Sequence, residues 1–453
     1  MVYSKETKTH SNYIVSKKMK IVVVGTGYVG LTTAVALAHI GNKVVCFDSD
    51  KEKIEDLSQA KLSIKEQGLE PMLLENIDKG NILFTNNLSN ALNGAEILFN
   101  AVVSPTRIDG SADSSPILQF AEKIGSEIIS PLIYVSKSTV PIGTTAQVKK
   151  VIDERLHERG VKTSFEVISS PEFLREGTAL DSFFNPDRIV VGATSEEASS
   201  VILKLLSPTI KEGTKVIKTS IEAAELAKLS SNMLLATRIS YMNTIANICD
   251  EIGADFKEVH AAMLAGATMP LYAGTGYSGA CFPKDVRTLI SSIKEMGADA
   301  TLLSAVENVN NTQKRLLFDK FCKQYTTDIS NKRVAIWGVS AKVGTEDFEN
   351  TPAEEIIKLL TAKEVAISIC DFISSSKIKN RYASYNINIT DNIYESARGA
   401  DAIILLTDYV QFKNPDWKRI KELMREPYIL DGKNIYDRDE LEQIGFKYEG
   451  VGR

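Results

Sequence analysis

Cys281 stands in Gly274-Thr-Gly-Tyr-Ser-Gly-Ala-Cys-Phe-Pro-Lys-Asp285, where its neighbours suit chemistry. A cysteine is by default a buried packing residue. Against that, glycines crowd the loop upstream, Pro283 fits the first turn of a helix, and Lys284 adds a positive charge. A thiol beside a helix N-terminus and a lysine is expected to ionise readily, and the thiolate is the nucleophilic form. The balance favours a nucleophile at Cys281. The other cysteines, Cys46, Cys249, Cys322 and Cys370, fall in strand or helix patterns and read as packing residues. Lys228 and Asn232 lie four apart in a helical stretch and share a face, either a solvated stripe or a pair aimed at a reacting group. Glu172 and Glu176, in Ser170-Pro-Glu-Phe-Leu-Arg-Glu-Gly177, follow a strand, where active sites of parallel sheets gather. Carboxylates there either move protons or cap a helix. Ser138-Thr139-Val140-Pro141 follows another strand in the same way.

Gly25-Thr-Gly27-Tyr28-Val29-Gly30 follows a β-branched run and opens a helix, and Asp48 ends the next strand. The spacing alone is a weak signal, but this context makes it a dinucleotide fingerprint. Glycines let the backbone approach a pyrophosphate, and the helix N-terminus favours its charge. Asp48 suits ribose hydroxyls and repels a 2′-phosphate, so the expected cofactor is NAD rather than NADP. Gly338 also ends a strand, but no further glycines follow at that spacing. The C-terminal half therefore either binds a different nucleotide in its strand-end crevice or only packs.

These groups must be held by a chain of 453 residues, long enough for two to four domains. At 43% hydrophobic and 25% charged it has a globular balance, and its net charge of −5 argues against a nucleic-acid binder. No apolar run approaches the ~20 residues of a membrane span. Residues 1–18 lack the hydrophobic core of a secretory signal and read as a flexible tail. Five dispersed cysteines with no CxxC pair, and four scattered histidines, point to a reducing, cytoplasmic setting and to no metal.

Strands at Ile21–Val24, Lys43–Phe47, Ile97–Val103, Leu132–Ser136, Phe165–Ser169 and Arg188–Gly192 alternate with helical stretches such as Leu31–Ile40, which predicts a parallel, doubly wound sheet. Thr219-Ser-Ile-Glu222 has capping-box spacing, and neither Gly nor Pro interrupts the chain from there to Ile252. A helix of that length spans ~45–50 Å and is expected to bridge domains. Pro283–Met296 is a second long helical pattern. After Lys314 the α/β pattern returns, with strands Arg333–Trp337 and Val365–Cys370 flanking a helix at Thr351–Lys363. The expected fold is α/β: two Rossmann-like doubly wound domains joined by a long central helix and a small helical middle domain. The expected boundaries are a tail at 1–18, an NAD-binding domain at 19–213, a central helical domain for dimerisation and the catalytic loop at 214–315, and a C-terminal Rossmann-like domain at 316–453.

In this order the chain resembles the UDP-glucose 6-dehydrogenase family, part of the UDP-glucose/GDP-mannose dehydrogenases. The matching motifs are GTGYVG (Gly25–Gly30), VVSPTRIDG (Val102–Gly110), KSTVP (Lys137–Pro141), SPEFLREGTA (Ser170–Ala179), NPDR (Asn185–Arg188), ELAKLSSN (Glu225–Asn232), GYSGACFPKDV (Gly276–Val286) and DGKNIYD (Asp431–Asp437). The resemblance implies a four-electron oxidation of a sugar-nucleotide primary alcohol by NAD, with UDP-glucose becoming UDP-glucuronate. It implies that Cys281 attacks the aldehyde, forming a thiohemiacetal and then a thioester that is hydrolysed. Lys228 and Asn232 would steady the oxyanion and contact substrate, while Asp285, Thr139 and Glu172 would manage protons and water. Lys53, Thr106, Thr139, Glu176 and Lys284 match positions near the cofactor. Phe173, Leu174, Tyr272, Gly276 and Lys342 match substrate positions, the last within a C-terminal UDP-sugar-binding domain, and a homodimer or higher homo-oligomer is implied.

The chain departs from the family pattern in four places. Leu264–Tyr272 lacks the arginine of an Asp-x-Arg-Ile-Gly segment, Ala341-Lys342 replaces Phe-Lys, Glu349 takes an arginine position, and Lys433 replaces the arginine of DGR. Lysine cannot reproduce a bidentate guanidinium. Alternatives are therefore another nucleotide sugar, GDP-mannose or a UDP-N-acetylhexosamine, or a non-catalytic nucleotide-sugar-binding relative. The intact Lys228, Asn232, Cys281 and Asp285 favour an enzyme.

Overall fold

A computed structural model describes residues 18–263, 272–325, 328–373 and 375–453. Two expectations lie outside these residues, the tail up to residue 17 and the arginine-less stretch 264–271. The chain divides into two compact units. The first holds the described residues up to Val103 with Ser115–Ser138 and Gly143–Ala224; the second holds Ser104–Ser114, Thr139–Ile142 and Glu225 onward.

The first unit is built on eight strands: β1 (Lys20–Val24), β2 (Lys43–Phe47), β3 (Ile82–Thr85), β4 (Ile97–Asn100), β5 (Leu132–Ser136), β6 (Phe165–Ser169), β7 (Arg188–Ala193) and β8 (Lys215–Thr219). Their order is β3-β2-β1-β4-β5-β6-β7-β8, the doubly wound order extended by two strands. Strand β1 is Val- and Ile-rich and all but its first residue are buried, as a strand covered on both faces must be. The Tyr28–His39 helix buries nine residues from Gly30 to Ala38 on the core formed with Ile21, Val23, Val44 and Ile97.

Three sequence expectations are corrected here. Strand β4 stops at Asn100, not Val103, because the chain then turns so that the Ala101 carbonyl faces Gly25. Strand β7 pairs antiparallel with β6 (Ile168 opposite Ala193), so the sheet is not parallel throughout. The connection after β6 enters β7 from the same end of the sheet, which reverses its direction. The capping residue of the long helix is Ser220, whose hydroxyl accepts from the Ala223 N–H at 3.2 Å, because Thr219 is still the last residue of β8.

That helix runs Ile221–Ile252, 32 residues, its first four in the first unit and the rest in the second. Its Leu229, Met233 and Ala236, at helical spacing, pack on Val286 and Leu289 of the Phe282–Glu295 helix. The second unit also carries a six-stranded sheet: β9 (Arg333–Trp337), β10 (Ala366–Cys370), β11 (Ile387–Thr390), β12 (Ala402–Leu405), β13 (Tyr428–Asp431) and β14 (Lys447–Gly450). All pairs are parallel in the order β11-β10-β9-β12-β13-β14. Helices cover both faces, and Ile336, Ile369 and Ile404 fill one core while Trp337, Ile403 and Phe412 fill the other. Both sheets thus present strand ends where doubly wound folds bind nucleotides.

Candidate active site

In the first unit the glycine-rich turn is shaped by contacts no side chain would permit. Gly25 has φ +84°, and a Cβ there would lie 2.7 Å from the Ala101 carbonyl oxygen; at Gly30 it would lie 1.8 Å from the Gly25 oxygen. Gly27 differs. It caps the Tyr28–His39 helix at φ −72°, offers no side-chain cap, and its missing Cβ would meet nothing nearer than Val103 Cγ2 at 3.9 Å. The space beside Gly27 at a helix N-terminus fits a dinucleotide pyrophosphate. Asp48 Oδ2 accepts from the Thr26 N–H at 2.9 Å and the Thr26 hydroxyl at 2.7 Å, and pairs with Lys53 Nζ at 3.3 Å. Burial alone would raise the Asp48 pKa, but the Thr26 and Asp50 hydrogen bonds and Lys53 together hold it below its ordinary value. The acid at the end of β2 therefore stays ionised and fixes the turn that it is to serve.

Tyr28 and Val29 open the helix, and Tyr28 does more than fill space. Its hydroxyl donates to Glu66 and accepts from the Gly177 N–H at 2.6 Å, tying the cofactor turn to the 170–178 loop. Burial first, then Glu66, pushes this phenol well above its usual range, so it remains protonated. In that loop the Glu172 carboxylate accepts from the Leu174 N–H at 2.6 Å, Arg188 covers the Phe173 ring at 3.9 Å, and Arg175 pairs with Asp187 at 3.1 Å. The NPDR motif thus braces the SPEFLREGTA loop that carries Glu172, Phe173, Leu174 and Glu176.

In the second unit Cys281 is exposed and caps the Phe282–Glu295 helix, with Pro283 in its first turn. The positive end of that helix stabilises negative charge developing beside the sulfur. Cys46, Cys249 and Cys370 are buried, and burial pushes the Cys370 thiol up to about 12. Asp285, 2% exposed, donates its N–H to the Cys281 carbonyl at 3.0 Å, and its carboxylate accepts from Asn232 Nδ2 at 2.7 Å. Lys228, one turn before Asn232, is only 7% exposed. A solvated stripe is excluded; these residues form one constellation between two helices.

The Lys284 ammonium donates to the Ser104 carbonyl at 2.9 Å. It anchors the 104–114 segment, which bends back on itself through a bridge between Thr106 and Ala112 and is pinned by Ala112 N–H to Thr288 Oγ1 at 2.8 Å. The Ser104 hydroxyl donates to the Thr139 carbonyl at 3.2 Å, so Thr106, Thr139 and Lys284 belong to one connected patch. Gly276 has φ +89°, and a Cβ would strike Asn310 Oδ1 at 2.4 Å. That oxygen accepts from the Tyr277 N–H at 2.7 Å, so the glycine serves the shape of the nucleophile loop. Tyr272 is 70% exposed and stacks on His260 with ring centroids 4.9 Å apart.

Around the second sheet, Gly338 (φ +82°) comes so close to Thr407 that a Cβ would overlap it at 2.3 Å. Asp371, at the end of β10, accepts from the Val339 N–H at 2.8 Å, and burial raises its pKa. Lys342 is exposed just beyond β9, while burial lowers the Lys433 pKa against the pull of Asp408 and Asp431. Sequence reasoning missed Glu66, Asn310, Glu307 and Asp347. Glu307 accepts from Tyr277 at 2.5 Å and from Arg287 at 2.9 Å, and it lies three residues before Asn310. Two polar residues on the core-facing side of the Thr301–Gln313 helix were the available signal. Among the described residues no group of three or more His, Cys, Asp or Glu could hold a metal ion.

The doubly wound sheet with this turn and acid is that of a dinucleotide-binding domain, the kind that NAD-dependent oxidoreductases carry. Comparison with known families sharpens the class: residues 19–210 match the NAD binding domain, 222–312 the central domain, and 335–438 the UDP binding domain of the UDP-glucose/GDP-mannose dehydrogenase family. The chain belongs to that family. It is 37% identical over 442 residues to a UDP-glucose 6-dehydrogenase of Pseudomonas aeruginosa, covering 96% of this chain and 98% of that one. A Bacillus subtilis UDP-glucose 6-dehydrogenase is 36% identical over 438 residues, at 96% and 98% coverage. Among solved structures, a UDP-glucose dehydrogenase from Pyrobaculum islandicum superposes with a TM-score of 0.87 at 28% identity, covering 96% and 98% of the two chains. Of the two uses left open for the Gly338 crevice, the UDP binding match favours nucleotide binding.

Proposed function

We propose that this chain oxidises UDP-glucose to UDP-glucuronate with two molecules of NAD. The observation that carries the reading is the helix-capping, exposed Cys281, with buried Asp285 four residues on bonded to Asn232 and buried Lys228 one turn before Asn232, in a chain 37% identical to a UDP-glucose 6-dehydrogenase over nearly its whole length. Gly27 and Asp48 would hold NAD, which when bound would supply the hydride acceptor for both oxidations. The sugar's C6 would give up a hydride to that acceptor while its hydroxyl proton passes to Glu172 or Asp285, leaving the aldehyde. The Cys281 thiolate adds to that carbonyl, forming a carbon–sulfur bond and placing negative charge on oxygen, which buried Lys228 and the Asn232 amide stabilise. The thiohemiacetal loses its second hydride to become a thioester. Water, deprotonated with help from Asp285, Thr139 or Glu172, then breaks the carbon–sulfur bond and releases carboxylate and thiol. A covalent link explains why a thiol is needed, since an aldehyde held on sulfur cannot leave between the two oxidations.

Phe173, Leu174 and Lys342 would hold the nucleotide sugar. We assign residues 19–213, 214–315 and 316–453 to cofactor, central and UDP-sugar domains. A homodimer is supported by the exposed Leu234, Tyr241 and Ile248, which repeat every seven residues on the long helix. Among the described residues no helix is long and apolar enough to cross a membrane, which fits a cytoplasmic enzyme. The test is turnover: a panel of UDP-glucose, GDP-mannose and UDP-N-acetylhexosamines with NAD, followed as NADH. UDP-glucose should give the highest kcat/KM; no turnover with any of them would leave a binding protein.

A further inference from the structure

The loop that follows β9 reaches the residues next to the nucleophile. The Asp347 carboxylate accepts from the Ala280 N–H at 2.8 Å, one residue before Cys281. The Gly279 N–H donates to the Glu349 carbonyl at 2.9 Å, and Asn350 Nδ2 donates to the Gly279 carbonyl at 3.3 Å. Gly279 sits at φ +98°, where a Cβ would lie 2.7 Å from Asp347 Oδ2, so the close approach requires glycine at that position. The loop itself is braced. The Ala341 N–H donates to the Asp347 carbonyl at 2.8 Å, Phe348 is buried in the core, and Thr351 caps the next helix through the Glu354 N–H. Asn350 is held in turn by Arg287 at 3.1 Å. One end of this loop therefore lies at the strand-end crevice of the UDP binding domain, with exposed Lys342, and the other grips the backbone beside the thiol.

Two glycines make the 276–280 segment permissive, so the position of Cys281 depends on what the segment is bonded to. A charge-assisted hydrogen bond from the Ala280 N–H to a braced carboxylate is the strongest hold of the three, because the other two acceptors are neutral. We propose that Asp347 is a positioning residue for Cys281, transmitting occupancy of the nucleotide crevice to the nucleophile. The proposal rests on the reading of Cys281 as nucleophile and of the Gly338 crevice as nucleotide site. A nucleoside diphosphate that engages Lys342 steadies the 340–350 loop, and Asp347 then fixes Ala280 and the thiol that follows it.

The experiment measures the alkylation rate of Cys281 by iodoacetamide, read from its own peptide by mass spectrometry, with and without UDP and across pH. Because UDP supports no redox step, the result is independent of whether UDP-glucose is the substrate, which the turnover panel decides separately. In the wild type UDP should change the rate at least fivefold. Asp347→Ala should lose that response while binding UDP within threefold of wild type, with kcat down at least tenfold and KM for NAD unchanged. Asp347→Asn, which keeps an acceptor without the charge, should fall between. Glu349→Ala should behave as wild type, since only its backbone carbonyl touches the loop and its side chain pairs with Arg381. A wild-type response in either folded Asp347 variant, or no UDP response in the wild type, overturns the proposal. Should Asp347→Ala fail to fold, Asp347→Asn decides.

Discussion

Gly27→Ala should separate the fold of this chain from its cofactor binding. At φ −72° an alanine is allowed, and its Cβ would stand 3.9 Å from Val103 Cγ2, an ordinary contact. Replacing glycine at a compatible angle stabilises a protein by about 0.4–1 kcal/mol through the unfolded chain. Alanine is a poorer N-cap than glycine by a similar amount, so the two effects nearly cancel. The same methyl fills the space where a pyrophosphate approaches the backbone. Losing one charge-assisted hydrogen bond there costs about 1.5–3 kcal/mol, which at ~1.4 kcal/mol per tenfold is one to two decades in affinity. Gly30→Ala is the contrast, since its Cβ would lie 1.8 Å from the Gly25 oxygen inside a packed helix–strand contact. Overpacking typically costs about 1–3 kcal/mol, and a clash with backbone oxygen belongs at or above the top of that range. The assay pairs chemical denaturation with a Kd for NAD by calorimetry. Gly27→Ala should unfold with the wild type and bind NAD at least tenfold more weakly, whereas Gly30→Ala should be destabilised outright. NAD binding within threefold of wild type in Gly27→Ala would refute the placement of the pyrophosphate.

Three further outcomes are expected. NAD should have the higher kcat/KM over NADP, and Asp48→Ala should narrow the gap by freeing Lys53 for a 2′-phosphate; an NADP preference in the wild type would sink the fingerprint reading. Asn232→Ala removes the 2.7 Å bond to the Asp285 carboxylate and should lower kcat more than tenfold with KM for NAD within threefold, measured by steady-state kinetics. Unchanged kcat would remove Asn232 from the mechanism. Lys342→Ala and Lys433→Ala should each raise KM for UDP-glucose much more than they lower kcat, and tight binding that survives both would mean that neither replaces the family's arginines.

The first sheet was legible because β1, β2, β5 and β6 are largely buried and so read as short, mostly apolar runs bounded by turns. The direction of β7 was not, since strand composition carries no sign and direction depends on where the preceding loop leaves the sheet. The capping residue of the long helix was misread by one because Thr219 and Ser220 can both cap, and the pairing of Thr219 in β8 leaves the place to Ser220. At the site, Gly25 and Gly30 were legible because the turn they form leaves no room for a Cβ, and the place of Cys281 at a helix start because Pro283 marks that start. The contact that Lys284 makes was not: a lysine two residues from a helix start can turn either way, and the carbonyl that holds it belongs to Ser104, 180 positions away. Glu66 and Asp347 were invisible for the same reason, as their partners Tyr28 and Ala280 are distant in sequence.

The most direct test of a thiol-mediated four-electron oxidation is the ratio of NADH formed to UDP-glucuronate formed, with free aldehyde trapped by a hydrazine. The mechanism proposed above requires two NADH per carboxylate and no trapped aldehyde in the wild type, with carboxylate formation lost in Cys281→Ala. A ratio near one with aldehyde released, or carboxylate formed at the wild-type rate by Cys281→Ala, would contradict it.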